Sequence, residues 1–156
     1  MTAAFVSCAI REARDSDIES MADLWVESWQ ETLPEFDFHA RRSWLVGRIE
    51  TSPRAIVAEG QDARIRGFAL FDNLSGWLDQ IAVDVEFFGT DTGRTLLAEV
   101  KSACPTGVHL DVNLANPRAM AFYRREGFLE TGGGFNKASG LRTVSMLWKP
   151  PAEFPF

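Results

Sequence analysis

The feature that most constrains this chain is the order of punctuation between Trp77 and Gly127. An alternating strand candidate, Trp77 to Val83, is followed by Gly89 and Gly93 around a helix start at Thr90, Asp91 or Thr92. A second strand, Val108 to Asn113, then meets Asn116-Pro117, a helix-opening pair, and Gly127 closes that helix. With early helices and several consecutive strands before it, strand, turn and helix repeated in this way point to an α/β domain better than to an all-β barrel, while periodicity alone leaves the strand order open. The expected class is α/β, a single domain with a mixed central sheet flanked by helices.

The earlier half supplies the rest of that sheet. Ile18, Met21, Leu24, Trp25, Ser28 and Trp29 recur at helical spacing from about Asp17 to Thr32, with Ser16 or Asp17 as cap. A second helix is expected over Asp37 to Ile49, stopped by Pro53. Arg54 to Glu59 and Ile65 to Phe71 read as an antiparallel pair, in which Gly67 weakens the second strand or marks a bulge. In Trp77 to Val83, Leu78, Gln80 and Ala82 are expected to face away from Trp77, Asp79, Ile81 and Val83. Near the end, Phe128 to Thr131 is extended, Gly132-Gly133-Gly134 forms a wide loop, and Leu141 to Trp148 is the last strand. The domain is expected over residues 9–149, with tails at 1–8 and 150–156.

With 156 residues, 46% of them apolar, including 12 Phe and 5 Trp, the chain can bury one substantial core. Sixteen basic against 22 acidic residues give a net charge of −6, which disfavours nucleic acid and anionic membrane as partners. Cys8 and Cys104 offer neither a disulfide framework nor a metal motif, and no spaced ligand set resembles a zinc or calcium site. Every apolar run is interrupted well short of a membrane span, and the opening MTAAFVSCAI lacks an export signal, so a soluble cytoplasmic protein is expected.

The stretch LDVNLANPRAMAFYRREGF, Leu110 to Phe128, together with Gly89 and Gly93, resembles the GCN5-related N-acetyltransferase (GNAT) superfamily, and the likeness covers nearly the whole chain. The resemblance implies a splay between two central parallel strands that admits acetyl-coenzyme A. Ile81, Ala82 and Val83 then lie beside the pantetheine arm. Phe88, Gly89, Thr90, Asp91, Thr92 and Gly93 match the pyrophosphate loop, with Arg94 as a further cation, although Phe88 and Asp91 depart from the family pattern. A helix start with exposed amides suits phosphate oxygens, and Asp91 can equally serve as a cap. Asn113 is either a pantetheine-side contact or a turn amide; Asn116 is a cofactor contact or a helix cap, and Ala119 and Phe122 follow on the same helix.

Tyr123, the only tyrosine, falls on the family position facing the departing sulfur and is the expected general acid, with a core aromatic as the alternative. Asp79 is the expected base, or else a charged residue at the sheet rim. Trp25, Trp29, Phe36, Phe38 and Trp44 can form an apolar wall for the acceptor. Glu27, Glu31, Glu35 and Asp37 can attract its amine, and Arg41, Arg42 and Arg48 can orient a carboxylate. The implied activity is acetyl transfer from acetyl-coenzyme A to the primary amine of a small molecule. A protein amine, or a noncatalytic acyl-coenzyme A binding or interaction domain, are the alternatives. A strand edge or the aromatic helices can support a homodimer.

Overall fold

The computed structural model describes residues 8–151, so the expected tails lie outside it except for Cys8, Pro150 and Pro151. Cys8 opens β1 (Cys8–Glu12), which pairs antiparallel with β2 (Arg54–Gly60); β2 pairs with β3 (Ile65–Phe71) and β3 with β4 (Leu78–Val83). The second half forms a separate antiparallel sheet in the order β5 (Val108–Asn113), β7 (Arg142–Trp148), β6 (Leu129–Phe135). Four helices complete the fold: α1 (Ile18–Thr32), α2 (Arg42–Thr51), α3 (Thr92–Ala103) and α4 (Pro117–Arg125).

Period-2 alternation divides the first sheet between two cores. Val57, Phe68 and Leu70 face α1 and α2, where Met21, Leu24 and Leu45 are buried against them. Ile56, Ala69 and Phe71 face the other side, where they join Leu96, Leu97 and Val100 of α3. The same core continues through Leu110, Met120, Phe128 and Met146 into the second sheet. Each large side chain removed from water here contributes about 1.5–3 kcal/mol. Gly67 is where α3 seats closest: a β-carbon there would stand 2.9 Å from Leu96 Cδ1 and 2.8 Å from the Ala82 carbonyl oxygen. The adjacent register skips Arg66, so the bulge expected around Gly67 is present.

Among the described residues, backbone pairing joins the two sheets at one corner. Trp77 and His109 form an isolated parallel bridge, and His109 N–H donates to the Gly76 carbonyl at 2.9 Å. Beyond that point β4 and β5 carry no ladder to one another, so the strands part as they run toward Val83 and Asn113. The mixed, splayed sheet expected from the sequence is therefore realised as two sheets held at a seam.

Three local expectations change. Leu70 pairs with Gln80 and Phe71 with Leu78, which leaves Asp79 as the extra residue of a bulge and breaks the expected alternation along β4. The Gly132-Gly133-Gly134 run is strand, because β7 supplies its backbone partners through Ser145, Val144 and Thr143. The second helix starts later than expected, at Arg42, after a 3-10 turn over His39–Arg41.

Candidate functional site

The parted strands separate two cavities that share Trp29. The first, about 260 Å³, joins Ile81, Ala82 and Val83 at the open end of β4 to Gly89, Thr90 and Gly93 of the following loop. Its opposite wall comes from α4, with Asn116, Ala119, Phe122 and Tyr123. These eleven positions, counting Phe88, were expected together and are brought together. Ser28, Thr32, Phe87, Arg118 and Arg125 also line the cavity and were not expected.

Local chemistry explains the loop. Gly89 sits at φ +79°, in the region that disfavours a side chain, and a β-carbon there would meet nothing within 4 Å. The turn is held by Thr90, whose hydroxyl donates to the Phe87 carbonyl at 2.6 Å and lies 3.0 Å from the Thr92 hydroxyl. Thr92 is fully buried and works inside the loop; it does not line the cavity. Asp91 occupies the N-cap position of α3 but makes no capping bond, and one of its buried oxygens has no partner among the described residues. The cap alternative is therefore not realised, and the carboxylate also stands outside the cavity lining. Arg94 is exposed and reaches Glu126 at 3.6 Å, again outside the lining.

Phe88 fills the position where the family pattern carries a polar or cationic side chain, yet a cation is present beside it. The Arg118 guanidinium lies 3.9 Å from the Phe88 ring centroid. Arg118 stands in the first turn of α4, after Pro117, where the helix dipole disfavours positive charge. That unfavourable placement was the one signal in the sequence that could have marked it. With Arg125, it gives this cavity two guanidinium groups and no carboxylate, in a chain of net charge −6.

Asn116 caps α4, accepting from Ala119 N–H at 3.2 Å, while also lining the cavity. Tyr123 is 7% exposed and packs edge-on against Phe122 and Phe128, at 5.3 and 5.4 Å between centroids. Burial holds its phenol well above the ordinary value of 10.0, so the hydroxyl keeps its proton. The hydroxyl makes no hydrogen bond among the described residues, and Tyr123 is part of the cavity lining.

The second cavity, about 220 Å³, lies across the gap. Gln80 of β4 and Asn113 of β5 line it, as do Trp25, Phe36, Phe38 and Trp44. Asn113 thus belongs to this side and not to the first cavity. Asp79 lines neither: Arg48 grips both its oxygens, at 2.6 and 3.0 Å, because the bulge turns it toward α2. Glu27 and Glu31 are exposed and also line neither cavity. They are four residues apart on one stripe of α1, while Trp25, Ser28, Trp29 and Thr32 form the stripe toward the cavities.

A chamber with two guanidinium groups and an aromatic chamber thus lie on either side of Trp29, beside a parted strand pair. The family model for the acetyltransferase (GNAT) domain matches residues 27–150, and the chain belongs to this superfamily. It is an acetyl-coenzyme A-dependent acetyltransferase. A search of curated proteins returned no match. Among solved structures, the apo form of YjaB from Escherichia coli is similar in fold, with TM-score 0.78 at 22% identity over 90% of this chain and 97% of that one. A GCN5-related N-acetyltransferase from Rhodopseudomonas palustris gives 0.79 at 17% identity, over 96% and 100%. A phosphinothricin acetyltransferase from Sinorhizobium meliloti, solved in complex with acetyl-coenzyme A, gives 0.68 at 21%, over 91% and 88%. No described helix is long and apolar enough to cross a membrane.

Proposed function

We propose that the first cavity holds acetyl-coenzyme A and that the acetyl group passes to the primary amine of a small molecule entering from the second. The observation that carries this reading is a single cavity that runs from the Gly89 turn to Tyr123 with two arginines and no acid in its lining. Gly89 and Gly93 offer backbone donors to the pyrophosphate, Thr90 holds the turn between them through its bonds to Phe87, and Arg118 and Arg125 offer the charge that Phe88 lacks. Ile81, Ala82 and Val83, on an edge without a strand partner, would lie beside the pantetheine arm. Asn116, Ala119 and Phe122 line the wall opposite.

When bound, the thioester supplies an activated acetyl group: the amine nitrogen forms the amide bond, the carbon–sulfur bond breaks, and the thiol leaves with a proton. Tyr123 is the group we assign to that proton, since its hydroxyl is protonated at neutral pH and has no competing protein acceptor. Asp79, paired with Arg48, is not available as the base, and water at the gap takes its place in this reading. The free Cys8 and Cys104 support a reducing cytoplasm, and the exposed edge strand β6 supports a homodimer.

Calorimetry with acetyl-coenzyme A and with coenzyme A tests the assignment. Both should bind the folded protein, and Arg118→Ala should weaken binding about tenfold, the loss of one charge-assisted contact. A folded protein that binds neither ligand rejects the assignment of the first cavity; full affinity in the variant removes Arg118 from it. A screen of small amines and peptide N-termini for released thiol then separates the two acceptor classes.

A further inference from the structure

We infer that the acceptor is an amine that also bears a carboxylate and a flat aromatic body, as an aromatic α-amino acid does, with Arg41 as the carboxylate anchor. This inference rests on the reading of the first cavity as the acetyl-coenzyme A site.

Three arginines of the early helices were candidates to hold an acidic group, and the structure distinguishes them. Arg42 is paired with Glu19 and Asp23, and Arg48 with Asp79. Arg41 alone has no ion pair or side-chain hydrogen bond among the described residues, although it is half-buried and lines the second cavity. Its guanidinium lies 4.5 Å from the Trp44 ring centroid. A guanidinium laid on an indole keeps its planar fork of donors open at the edge, the geometry that pairs with a carboxylate through two parallel bonds.

The remaining lining fixes the other two features of the ligand. Trp29 and Phe38 stack at 5.6 Å with planes 23° apart, and Trp25 meets Phe38 edge-on at 5.7 Å. Such walls favour a flat apolar body over a branched or charged one. Gln80 and Asn113 lie where β4 and β5 part, so an amine that is to reach the thioester must point there. Gln80 has its carbonyl oxygen committed to Trp25 Nε1 at 3.0 Å, whereas the Asn113 amide is without a side-chain partner among the described residues and can accept from the amine. One acid, Asp37, is in the lining; it is exposed, and it accepts from Ala40 N–H at 3.3 Å. One guanidinium and one carboxylate together match a zwitterion better than a simple cation.

The test compares four acceptors with the intact protein: phenylalanine, its methyl ester, phenethylamine and leucine. Release of coenzyme A thiol should give phenylalanine a kcat/KM at least about tenfold above each of the others, the worth of one lost polar or stacking contact. Arg41→Gln should bring the acid-to-ester ratio to within about twofold of unity, mainly through KM, with acetyl-coenzyme A affinity by calorimetry unchanged. Arg41→Lys should restore part of the ratio. Equal or better turnover of the ester or phenethylamine overturns the inference, as does an acid-to-ester ratio that survives Arg41→Gln. Tryptophan fluorescence titration without cofactor provides an arm that does not depend on turnover: phenylalanine should give a saturable change that the ester does not. No response to phenylalanine, or an equal response to the ester, overturns the inference even if acetyl-coenzyme A binds. Loss of acetyl-coenzyme A binding with the fluorescence response intact would instead refute the cofactor assignment and leave the aromatic acid site standing.

Discussion

In the proposed reaction the proton given to the departing sulfur comes from one hydroxyl, that of Tyr123. Tyr123→Phe preserves the ring contacts with Phe122 and Phe128 and removes only the hydroxyl. It should lower kcat by at least about a hundredfold while leaving acetyl-coenzyme A affinity nearly unchanged; an unaltered kcat would remove the residue from proton transfer. The same variant has a signature in stability. Because burial raises the folded-state pKa above the ordinary 10.0, the fold keeps this proton after the unfolded chain has released it. Stability linked to the phenol is complete below that pH and declines as pH rises beyond it. Urea midpoints measured between about pH 9 and about pH 11 should therefore fall less steeply for Tyr123→Phe than for the parent protein.

Among the elements, the entry to α1 depends on an acid whose task differs from the one its position suggests. Asp17 stands where a helix cap is expected, but its carboxylate turns back to accept from Arg14 N–H at 2.7 Å and from both terminal nitrogens of Arg11, at 2.7 and 3.0 Å. Arg11 also holds Glu59 of β2, so one guanidinium ties β1, β2 and the start of α1. Asp17→Asn should cost about 2 kcal/mol at neutral pH by urea denaturation. Arg11 holds the Asp17 carboxyl below its ordinary 3.8, so this contribution is present above that value and lost as pH falls. The deficit of the variant should accordingly shrink in acid; a constant deficit would point to packing instead of charge.

What was legible at this scale follows from what is local. The antiparallel pair β2 and β3 and the strand β5 fall within a residue of their expected bounds, and Asn116-Pro117 marked the start of α4 because cap and fixed φ act within a few residues. Only the start of β6 was legible, in the extended Phe128 to Thr131; the glycines after it have no side-chain preference and become strand through distant β7. The Arg48 pairing of Asp79 was not legible for a similar reason: it depends on a single-residue bulge set by pairing with β3. Glu27 and Glu31 share a helix with the cavity-lining Trp29, and which stripe of α1 faces inward is settled by the sheet it covers. The glycine turn could be read because φ +79° at Gly89 is a demand that few other residues satisfy.

At the scale of the whole molecule, two sheets share one core but are joined by backbone pairing at a single seam among the described residues. His109 reinforces it twice: its ring lies 5.2 Å from that of Trp77, and its Nε2 is 3.0 Å from the Ser75 carbonyl oxygen. His109→Ala should lower stability by about 1 kcal/mol, or about 3 °C in Tm for a chain of this size, and should also weaken acetyl-coenzyme A binding because the gap opens from this corner. Unchanged Tm and affinity would show that the His109 ring adds nothing to the Gly76–His109 backbone bond and the core the sheets share.

The two cysteines have a consequence for the bench. Cys104 is fully enclosed and Cys8 half-covered, and burial pushes both thiols above their ordinary range. Near neutral pH neither is appreciably ionised, and the ionised sulfur is the form that attacks disulfide dyes. A colorimetric reading of liberated coenzyme should therefore run continuously in the presence of native enzyme with little background, and a sudden rise in protein-derived colour would report that the fold has opened.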